Sequence, residues 1–414
     1  MKILWVKAGK LLPVDTGGKI RSYNILRRLA RDHEVHLLSY YGGQRDVEYE
    51  AEITRQWPGA EVIYTAAPDA GFLEQSLDYL RHLPSSAPYA VSKFTHPKVR
   101  RAISGWFSQG HCEVAVCDFL SASANFPPTL PVPTVLFQHN VETSLWRRLS
   151  EREMNPARKV ACAIEAAKMA RYERRALGWF HHVIAVSRGD RGQMLSMYQG
   201  CQISVVPTGV DMSQYRAGPS TSAEPPIVVF TGSMDWEPNI DAMEYFCWDI
   251  WPAVLAAYPR ARFQIVGRHP HHKVRRLASS SVEVTGTVSS VSDHLRNATL
   301  VVVPLRIGGG TRLKIYEAMA MGKAVVSTSI GAEGLDVQDG RDLVLADEPG
   351  SFSESIIQLL RDAGLRHKYE RAGAELVAGY DWSVIARQFA TVLSGVVADF
   401  ATDRPSSAPS PVAP

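Results

Sequence analysis

Short apolar runs alternate with longer amphipathic stretches along almost the whole chain. Apolar runs of about four to eight residues are typical of strands buried on both faces, and the stretches between them have the period of helices. This alternation predicts parallel β-sheets covered by helices on both sides. The first series of predicted strands comprises Ile3–Lys7, Val35–Tyr41, Glu61–Tyr64, Val114–Phe119, Thr134–His139, Val183–Ser187 and Ile203–Pro207.

The pattern stops at a polar, proline-bearing stretch, residues 216–226, which we interpret as a linker. It then restarts, and we therefore expect two Rossmann-like, doubly wound α/β domains, residues 1–215 and 227–380. The second series of predicted strands comprises Ile227–Thr231, Arg262–Gly267, Val282–Gly286, Leu300–Leu305, Ala324–Thr328 and Leu343–Ala346.

The end of the chain has two further parts. Residues 381–400 have the pattern of an amphipathic helix that opens on Asp381. The tail, residues 402–414, is rich in proline and serine, and we expect it to be disordered because it has too few apolar residues to bury.

Composition and charge exclude several classes of protein. With 414 residues, 45% of them hydrophobic, the chain is long enough for two complete cores, and a net charge of +3 gives no reason to expect nucleic acid. The first apolar run, Ile3–Val6, is too short for a signal peptide, and we find no run of membrane-spanning length. We therefore predict a cytoplasmic protein.

Metal and disulfide sites are not expected. The five cysteines are scattered and form no Cys-x-x-Cys pair. His269, His271 and His272 are close in sequence, but their spacing suits tetrahedral ligation poorly and no acidic or thiol partner is near.

The most informative stretch is Val301–Val326, in which a buried strand leads through a glycine loop into a helix predicted to begin at Thr311. Arg312 and Lys314 fall in the first turn of that helix, where the helix dipole disfavours cations unless an anion is bound. The stretch therefore predicts a phosphate site. The glycine loop consists of Gly308, Gly309 and Gly310.

Glu317 follows Thr311 by six positions, which is about 9 Å along a helix. That distance roughly matches a diphosphate at the helix start and a ribose further along. The alternative is an exposed ion pair between Lys314 and Glu317.

Polar and glycine residues also follow other predicted strands, and ligands of open α/β sheets bind at the carboxyl ends of strands. In the first domain Gly17 and Gly18 stand at a strand-to-helix turn, and His139 ends a strand close to Glu142. Glu142 could orient the imidazole, bind a sugar hydroxyl or cap the next helix. In the second domain three successive strands end in turns of one kind, which together could hold a nucleotide lengthwise: Gly232 and Ser233, Gly267 and Arg268, and Gly286.

Together these residues resemble the family 4 glycosyltransferases, retaining enzymes of the GT-B fold that transfer a sugar from a nucleotide donor. The similarity extends over nearly the whole chain, and Val206–Asp211 and Glu317–Lys323 are its most specific stretches. The resemblance implies two Rossmann-like domains facing across a cleft, with residues 381–400 packing back on the first domain.

The resemblance also implies a chemistry. It is that of a hexosyltransferase which uses a nucleotide-diphosphate sugar and a glycan or lipid-linked acceptor, without a cofactor or metal, in polysaccharide or glycoconjugate biosynthesis. By similarity Glu317 would bind the ribose, Gly17 and Gly18 would approach the donor phosphate, and His139 would contact the sugar or acceptor at the reaction centre.

Three positions depart from the family pattern. Gly309 replaces a glutamate that contacts the donor sugar, and Ser233 and Asn239 replace an arginine and a lysine. We expect Arg312 and Lys314 to supply the missing positive charge and to stabilise the leaving diphosphate. The alternatives are a non-catalytic nucleotide-sugar-binding subunit and a GT-B-like epimerase.

Positive charge is concentrated between the strands of His139 and Val183, and four glutamates offset part of it. The segment is either a peripheral contact with an anionic membrane or a solvated helix face. The cations are Arg147, Arg148, Arg158, Lys159, Lys168, Arg171, Arg174 and Arg175, and the glutamates are Glu151, Glu153, Glu165 and Glu173.

Overall fold

The computed structural model describes residues 1–65, 79, 82, 85–108, 110–127, 131–153, 155–216, 224–307 and 313–402. The glycine loop with Thr311 and Arg312, linker residues 217–223 and tail residues 403–414 lie outside the described residues, so the predictions for them stay predictions. The chain divides into two compact units: unit 1 comprises Met1–Val206 and Ala386–Pro414, and unit 2 comprises Pro207–Ile385.

Unit 1 contains a seven-stranded sheet in the order β3-β2-β1-β4-β5-β6-β7, and every neighbouring pair is parallel. The central strands are largely buried because most of their side chains are apolar on both faces. All seven predicted strands are present, within two residues at either end. They are β1 (Lys2–Ala8), β2 (Glu34–Tyr41), β3 (Glu61–Tyr64), β4 (Val114–Asp118), β5 (Thr134–Gln138), β6 (His182–Ala185) and β7 (Ile203–Val205).

Helices connect these strands, and a 3-10 helix, Leu120–Asn125, follows β4. The described helices of unit 1 are α1 (Gly17–Asp32), α2 (Val47–Gln56), α3 (Tyr89–Ser92), α4 (Pro97–Ser108), α5 (Glu142–Arg152), α6 (Pro156–Leu177) and α7 (Arg188–Met197).

Unit 2 contains a six-stranded parallel sheet in the order β10-β9-β8-β11-β12-β13. Its order reverses beside β8, so the carboxyl ends of β8 and its neighbours form the edge at which such sheets bind ligands. The six predicted strands are all present. They are β8 (Ile227–Thr231), β9 (Arg262–Val266), β10 (Val282–Gly286), β11 (Leu300–Val303), β12 (Ala324–Ser327) and β13 (Val344–Leu345).

The helix after β8 begins earlier than the sequence suggests. In the sequence Asn239 and Asp241 look like its N-terminal cap, but the cap residue is Trp236 and Pro238 stands in the first turn, where proline is favoured. Asn239 therefore lies inside the helix. The described helices of unit 2 are α8 (Glu237–Tyr245), α9 (Trp251–Ala257), α10 (His272–Arg275), α11 (Val291–Asn297), α12 (Leu313–Ala320), α13 (Pro349–Arg361) and α14 (Ala363–Ala378), with a π-helix at Phe246–Ile250.

Residues 207–215 lie with unit 2, although the sequence pattern assigned them to the first domain. The backbone N–H of Val210 donates to the carbonyl oxygen of Tyr380 at 2.8 Å. A Cβ on Gly209 would lie 2.7 Å from the ring of Trp382, so only glycine allows this close approach. These contacts tie the segment to the end of unit 2.

The last helix, α15 (Trp382–Thr402), begins in unit 2 and packs on unit 1 from Ala386 onwards. The ring of Phe389 lies 5.4 Å from that of Trp5 and 5.0 Å from that of Phe137. Among the described residues α15 is the one helix long and apolar enough to cross a membrane by length and composition. This packing accounts for the buried part of the apolar window, which is 28% of it.

We expect Phe389→Ala to lower the free energy of unfolding by about 3–5 kcal/mol, because it leaves a cavity beside two buried aromatic rings. Gln388→Ala is the matched control, since the neighbouring side chain is exposed. Urea titration checks both variants. Equal stability of the two would show that α15 does not depend on this contact.

Candidate active site

His139 and Asp118 meet at the carboxyl edge of the sheet in unit 1. Asp118 ends β4 and His139 directly follows β5, and the two strands are parallel neighbours. Nε2 of His139 lies 2.7 Å from Oδ1 of Asp118, and Nδ1 lies 2.7 Å from a guanidinium nitrogen of Arg21. Because a guanidinium group can only donate, Nδ1 accepts, and Nε2 carries the hydrogen that is donated to Asp118.

Burial and neighbouring charges together set the charge states of His139, Asp118 and Arg21. It lowers the pKa of His139 to about 3, and the charges of Arg21 and Lys7 act in the same direction, although Asp118 opposes them. Burial alone would raise the pKa of Asp118, but Lys7 and His139 hold it well below its usual range. Burial also lowers the pKa of Arg21 to about 10. At neutral pH the group is therefore a neutral imidazole between a guanidinium cation and a carboxylate.

Phe119 covers one face of the His139 imidazole. Its ring stacks on His139 with centroids 3.7 Å apart, and its backbone has a φ of 74°, which is rare for a residue other than glycine. A Cβ on Gly18 would lie 2.4 Å from the Phe119 ring, whereas one on Gly17 would meet nothing within 4 Å. Gly18 is therefore required by the packing of Phe119, and the phosphate role of both glycines stays a prediction.

These contacts bear on the predicted role of His139. Both ring nitrogens bond inside the protein, and the residue is only 2% exposed. The geometry favours a residue that positions Arg21 and Asp118, and direct contact with the substrate stays a prediction. Arg21, Asp118 and Lys7 were not predicted from the sequence. The one available signal was that Asp118 ends the strand next to that of His139.

Glu142 does not orient the imidazole, since Asp118 does so. It is the first residue of α5, and Glu173 accepts hydrogen bonds from the backbone N–H groups of Glu142 and Thr143, both at 2.9 Å. Burial and the charge of Glu173 raise the pKa of Glu142 to about 7. Glu173 thus caps the helix, and its carboxylate makes the neighbouring Glu142 harder to ionise than an ordinary glutamate.

In unit 2 the turns after β8 and β9 are pressed together. A Cβ on Gly267 would lie 1.6 Å from the carbonyl oxygen of Gly232. A Cβ on Gly232 would lie 2.8 Å from the Asn239 amide and 3.1 Å from Nζ of Lys314. Glycine at both positions lets the turns touch and lets the ammonium group of Lys314 reach the backbone.

Two cations converge on this turn. Nζ of Lys314 donates to Oδ1 of Asn239 at 3.1 Å and lies 4.0 Å from the centre of the Phe230 ring. Nε of Arg268 donates to Oγ of Ser233 at 3.0 Å. Ser233 and Asn239 are the positions at which the resemblance to the family leads us to expect cations. Each of them is thus bonded to a cation from another element.

Glu317 lies on α12, one turn after Lys314. It is partly buried, and burial raises its pKa, while a hydrogen bond from Tyr215 and the charge of Lys314 act in the opposite direction. Burial also raises the pKa of Tyr215. Two groups therefore favour the ionised form of Glu317: the hydroxyl of Tyr215 and the charge of Lys314. The sequence alternative, an exposed ion pair with Lys314, includes only the second of them.

Gly286, the last of the predicted glycine turns, has no close neighbour at its Cβ position. Gly286 ends β10 with a φ of +70°, and a Cβ there would meet nothing within 4 Å, so its glycine is explained by the backbone angle alone. The described parts of the chain contain no group of three or more His, Cys, Asp or Glu side chains that could hold a metal ion.

Two family models match the chain. Residues 16–214 match "Glycosyltransferase Family 4", and residues 225–362 match "Glycosyl transferases group 1". The chain belongs to the family 4 glycosyltransferases. The predicted family and enzyme class are therefore confirmed.

Curated relatives of this glycosyltransferase include two phosphatidyl-myo-inositol mannosyltransferases. The protein from Mycobacterium leprae is 27% identical over 86% of this chain and 93% of its own length. The one from Mycolicibacterium smegmatis is 29% identical over 51% of this chain and 57% of its own length.

Solved structures with a similar fold include sucrose-phosphate synthase from Thermosynechococcus elongatus. It has a TM-score of 0.68 and 15% identity over 96% of this chain and all of that one. Anabaena HepE in complex with UDP-glucose has a TM-score of 0.60 and 16% identity over 95% of this chain and 100% of its own. These likenesses show the GT-B fold of the glycosyltransferase, as predicted.

The depressed pKa of His139 makes stability depend on pH. In the unfolded chain a histidine binds a proton near pH 6.5, whereas His139 stays neutral down to about pH 3. The unfolded state therefore binds more protons in this range, so stability falls as pH falls, by up to about 1.4 kcal/mol per pH unit. We expect His139→Gln, which keeps one donor and one acceptor, to reduce this slope between about pH 6.5 and about pH 4.5.

Urea titration at several pH values measures this slope. His111→Gln is the control, because His111 is exposed and should leave the slope of the wild type unchanged. A wild-type slope in His139→Gln would contradict a buried neutral imidazole.

Proposed function

We propose that this glycosyltransferase moves a hexosyl group from a nucleotide-diphosphate sugar to a glycan or lipid-linked acceptor, with retention of configuration. The observation that carries the proposal is the convergence of Arg268 and Lys314 on the Gly232–Ser233 turn. This turn follows the strand at the switch point of the sheet, where α/β sheets bind nucleotides.

The chemistry of a leaving diphosphate explains why cations are needed there. Negative charge develops on the bridging oxygen as the glycosidic bond breaks, and positive groups fixed in advance at that point stabilise it. The ammonium group of Lys314 is fixed by Asn239 and the face of Phe230. Arg268 is fixed by Ser233, whose hydroxyl donates to Asp235 at 2.5 Å.

We propose that Glu317 binds the ribose. It lies one turn along α12 from Lys314, and its partner Tyr215 leaves it acceptor capacity for sugar hydroxyl groups. Arg312 remains a further candidate for the diphosphate. We propose that cations take the place of a metal ion, so the transfer is metal-independent.

We propose that the configuration of the sugar is retained because the acceptor hydroxyl attacks the anomeric carbon from the same face from which the diphosphate departs. The acceptor hydroxyl would lose its proton to a leaving phosphate oxygen while the new glycosidic bond forms. His139, with Arg21 and Asp118, would hold the wall of the acceptor side in unit 1.

The acceptor class is supported by the printed names of relatives and by one surface of unit 1. Those names specify phosphatidyl-myo-inositol as the acceptor of similar enzymes. Leu149, Val160 and Ile164 are exposed on α5 and α6, with Val160 60% exposed. Arg147, Arg158 and Lys159 are exposed on the same helices.

We define these six residues as the basic-apolar surface. Lys168 and Glu173 are not part of it, because both are buried and Lys168 pairs with Glu165 at 3.4 Å. Aliphatic side chains beside cations suit an anionic bilayer. We therefore propose a cytoplasmic enzyme that contacts the membrane peripherally.

Arg268→Ala and Lys314→Ala should each lower kcat by about 100-fold, because each removes one fixed cation from the developing charge. Lys273→Ala is the control, since Lys273 is a surface residue paired with Glu244 at 3.8 Å. Release of nucleoside diphosphate from UDP-glucose and GDP-mannose measures the rates.

Normal turnover in both Arg268→Ala and Lys314→Ala would contradict this diphosphate site. The rate of Arg312→Ala would then show whether Arg312 stabilises the leaving diphosphate instead. If the wild type binds these donors in a thermal-shift assay but releases no diphosphate with any acceptor, the non-catalytic subunit is the better description.

The basic-apolar surface predicts membrane binding that depends on both charge and apolar contact. The wild type should sediment with vesicles of phosphatidylcholine and phosphatidylglycerol at low salt and less at high salt. Val160→Asp/Ile164→Asp should reduce sedimentation at either salt concentration. Exposed Val47→Asp is the control. Unchanged binding of the double variant would exclude this surface.

A further inference from the structure

Three arginines border a cavity in unit 1 that the proposed reaction does not use. The cavity has a volume of ≈ 410 Å³. We call it the arginine cavity. Its lining consists of Arg171, Arg174, Arg175, Gly178, Trp179 and Tyr198.

The arginine cavity lies at the opposite edge of the sheet from His139. Trp179 precedes the start of β6, and Tyr198 precedes the start of β7. His139 instead follows the carboxyl end of β5. Because these strands are parallel, the starts and the ends of strands form different edges, and the cavity is separate from the candidate active site.

Among the described residues, no carboxylate pairs with the positive charge of the cavity. No acidic side chain lines it, and within the part of the chain that the structure describes none of the three guanidinium groups has a hydrogen bond or ion pair. The dipole of α6 favours Arg174 and Arg175 in its last turn. It does not explain Arg171 or the aromatic side chains beside it.

The two aromatic rings of the cavity, Trp179 and Tyr198, pack against neighbouring residues of the protein. Tyr198 lies between two glycines: a Cβ on Gly178 would come 3.2 Å from its ring, and one on Gly200 would come 2.9 Å from it. Trp179 stands perpendicular to Tyr172 at 5.5 Å between ring centroids. The hydroxyl of Tyr172 is in turn hydrogen-bonded to that of Ser123 at 2.8 Å.

Trp179 is nevertheless 49% exposed. It also borders a second cavity of ≈ 580 Å³, which Arg100 and Thr134 help to line. A fixed aromatic ring with an open side, between two cavities, is suited to a ligand that extends over more than one ring.

We propose that the arginine cavity binds an acidic saccharide, a sugar ring that carries phosphate, sulfate or carboxylate groups. Guanidinium groups bind such oxyanions through paired hydrogen bonds, and aromatic rings pack against the apolar faces of sugars. A bilayer is a poorer match, because the exposed aliphatic residues Val160 and Ile164 lie towards the other end of α6. The inference does not depend on the donor site.

Calorimetric titration with sucrose octasulfate tests this site, with sucrose and inorganic sulfate as the neutral and sugar-free probes. We expect sucrose octasulfate to bind and the other two to bind far more weakly. Arg174→Ser/Arg175→Ser should raise the Kd by about tenfold or more, since two charge-assisted contacts are lost. Trp179→Ala should also raise it. Arg158→Ser/Lys159→Ser is the matched control, because it removes two exposed cations of the same helix outside the cavity.

Equal weakening by the control pair would overturn the proposal in favour of diffuse electrostatic attraction. Inorganic sulfate binding as tightly as the sulfated sugar would overturn the sugar part of it. Two further probes distinguish the sources of the ligand: binding of glucose 6-phosphate supports a free sugar phosphate, and binding of short dextran sulfate chains supports an acidic glycan. Neither titration requires catalytic turnover.

Discussion

The site in unit 1 depends on one buried carboxylate. Asp118 is fully buried at the end of β4, and it receives hydrogen bonds from Trp5 at 3.0 Å and His139 at 2.7 Å. The ammonium group of Lys7 lies 3.1 Å away. An isolated charge in such a place would cost several kcal/mol, so the three donors are what allow it to stay ionised. Their positions in turn fix the tautomer of His139 and the direction of Arg21.

The sequence predicts the sheets well because of what parallel sheets require. Strands such as β4 and β11 are buried on both faces, and they are therefore nearly continuous apolar runs that stand out from the helices around them. The start of α8 was predicted less well, because Asn239 resembles a cap residue but lies inside the helix. The assignment of residues 207–215 was missed for another reason: their contacts with Tyr380 and Trp382 join positions far apart in the chain.

In the candidate sites too, local signals were predicted from the sequence and contacts between distant positions were not. The glycine turns were found because glycine at a strand end is a local signal. The partners of His139 were missed because Arg21, Asp118 and His139 come from three separate elements. Lys314 was predicted from its place near a helix start. The contacts of its ammonium group with Asn239 and Phe230 could not be predicted, because those residues belong to other elements. Pairing across elements is set by topology, which a single sequence does not display.

The bonds of Lys314 to Asn239 and of Arg268 to Ser233 have an evolutionary consequence. In each pair one position carries the charge and the other holds it in place, so a charge gained at one position makes the charge at the other repulsive. Positions 239 and 314 should therefore change together among related enzymes, and so should positions 233 and 268. The turn needs positive charge at one location, and either residue of a pair stands close enough to supply it.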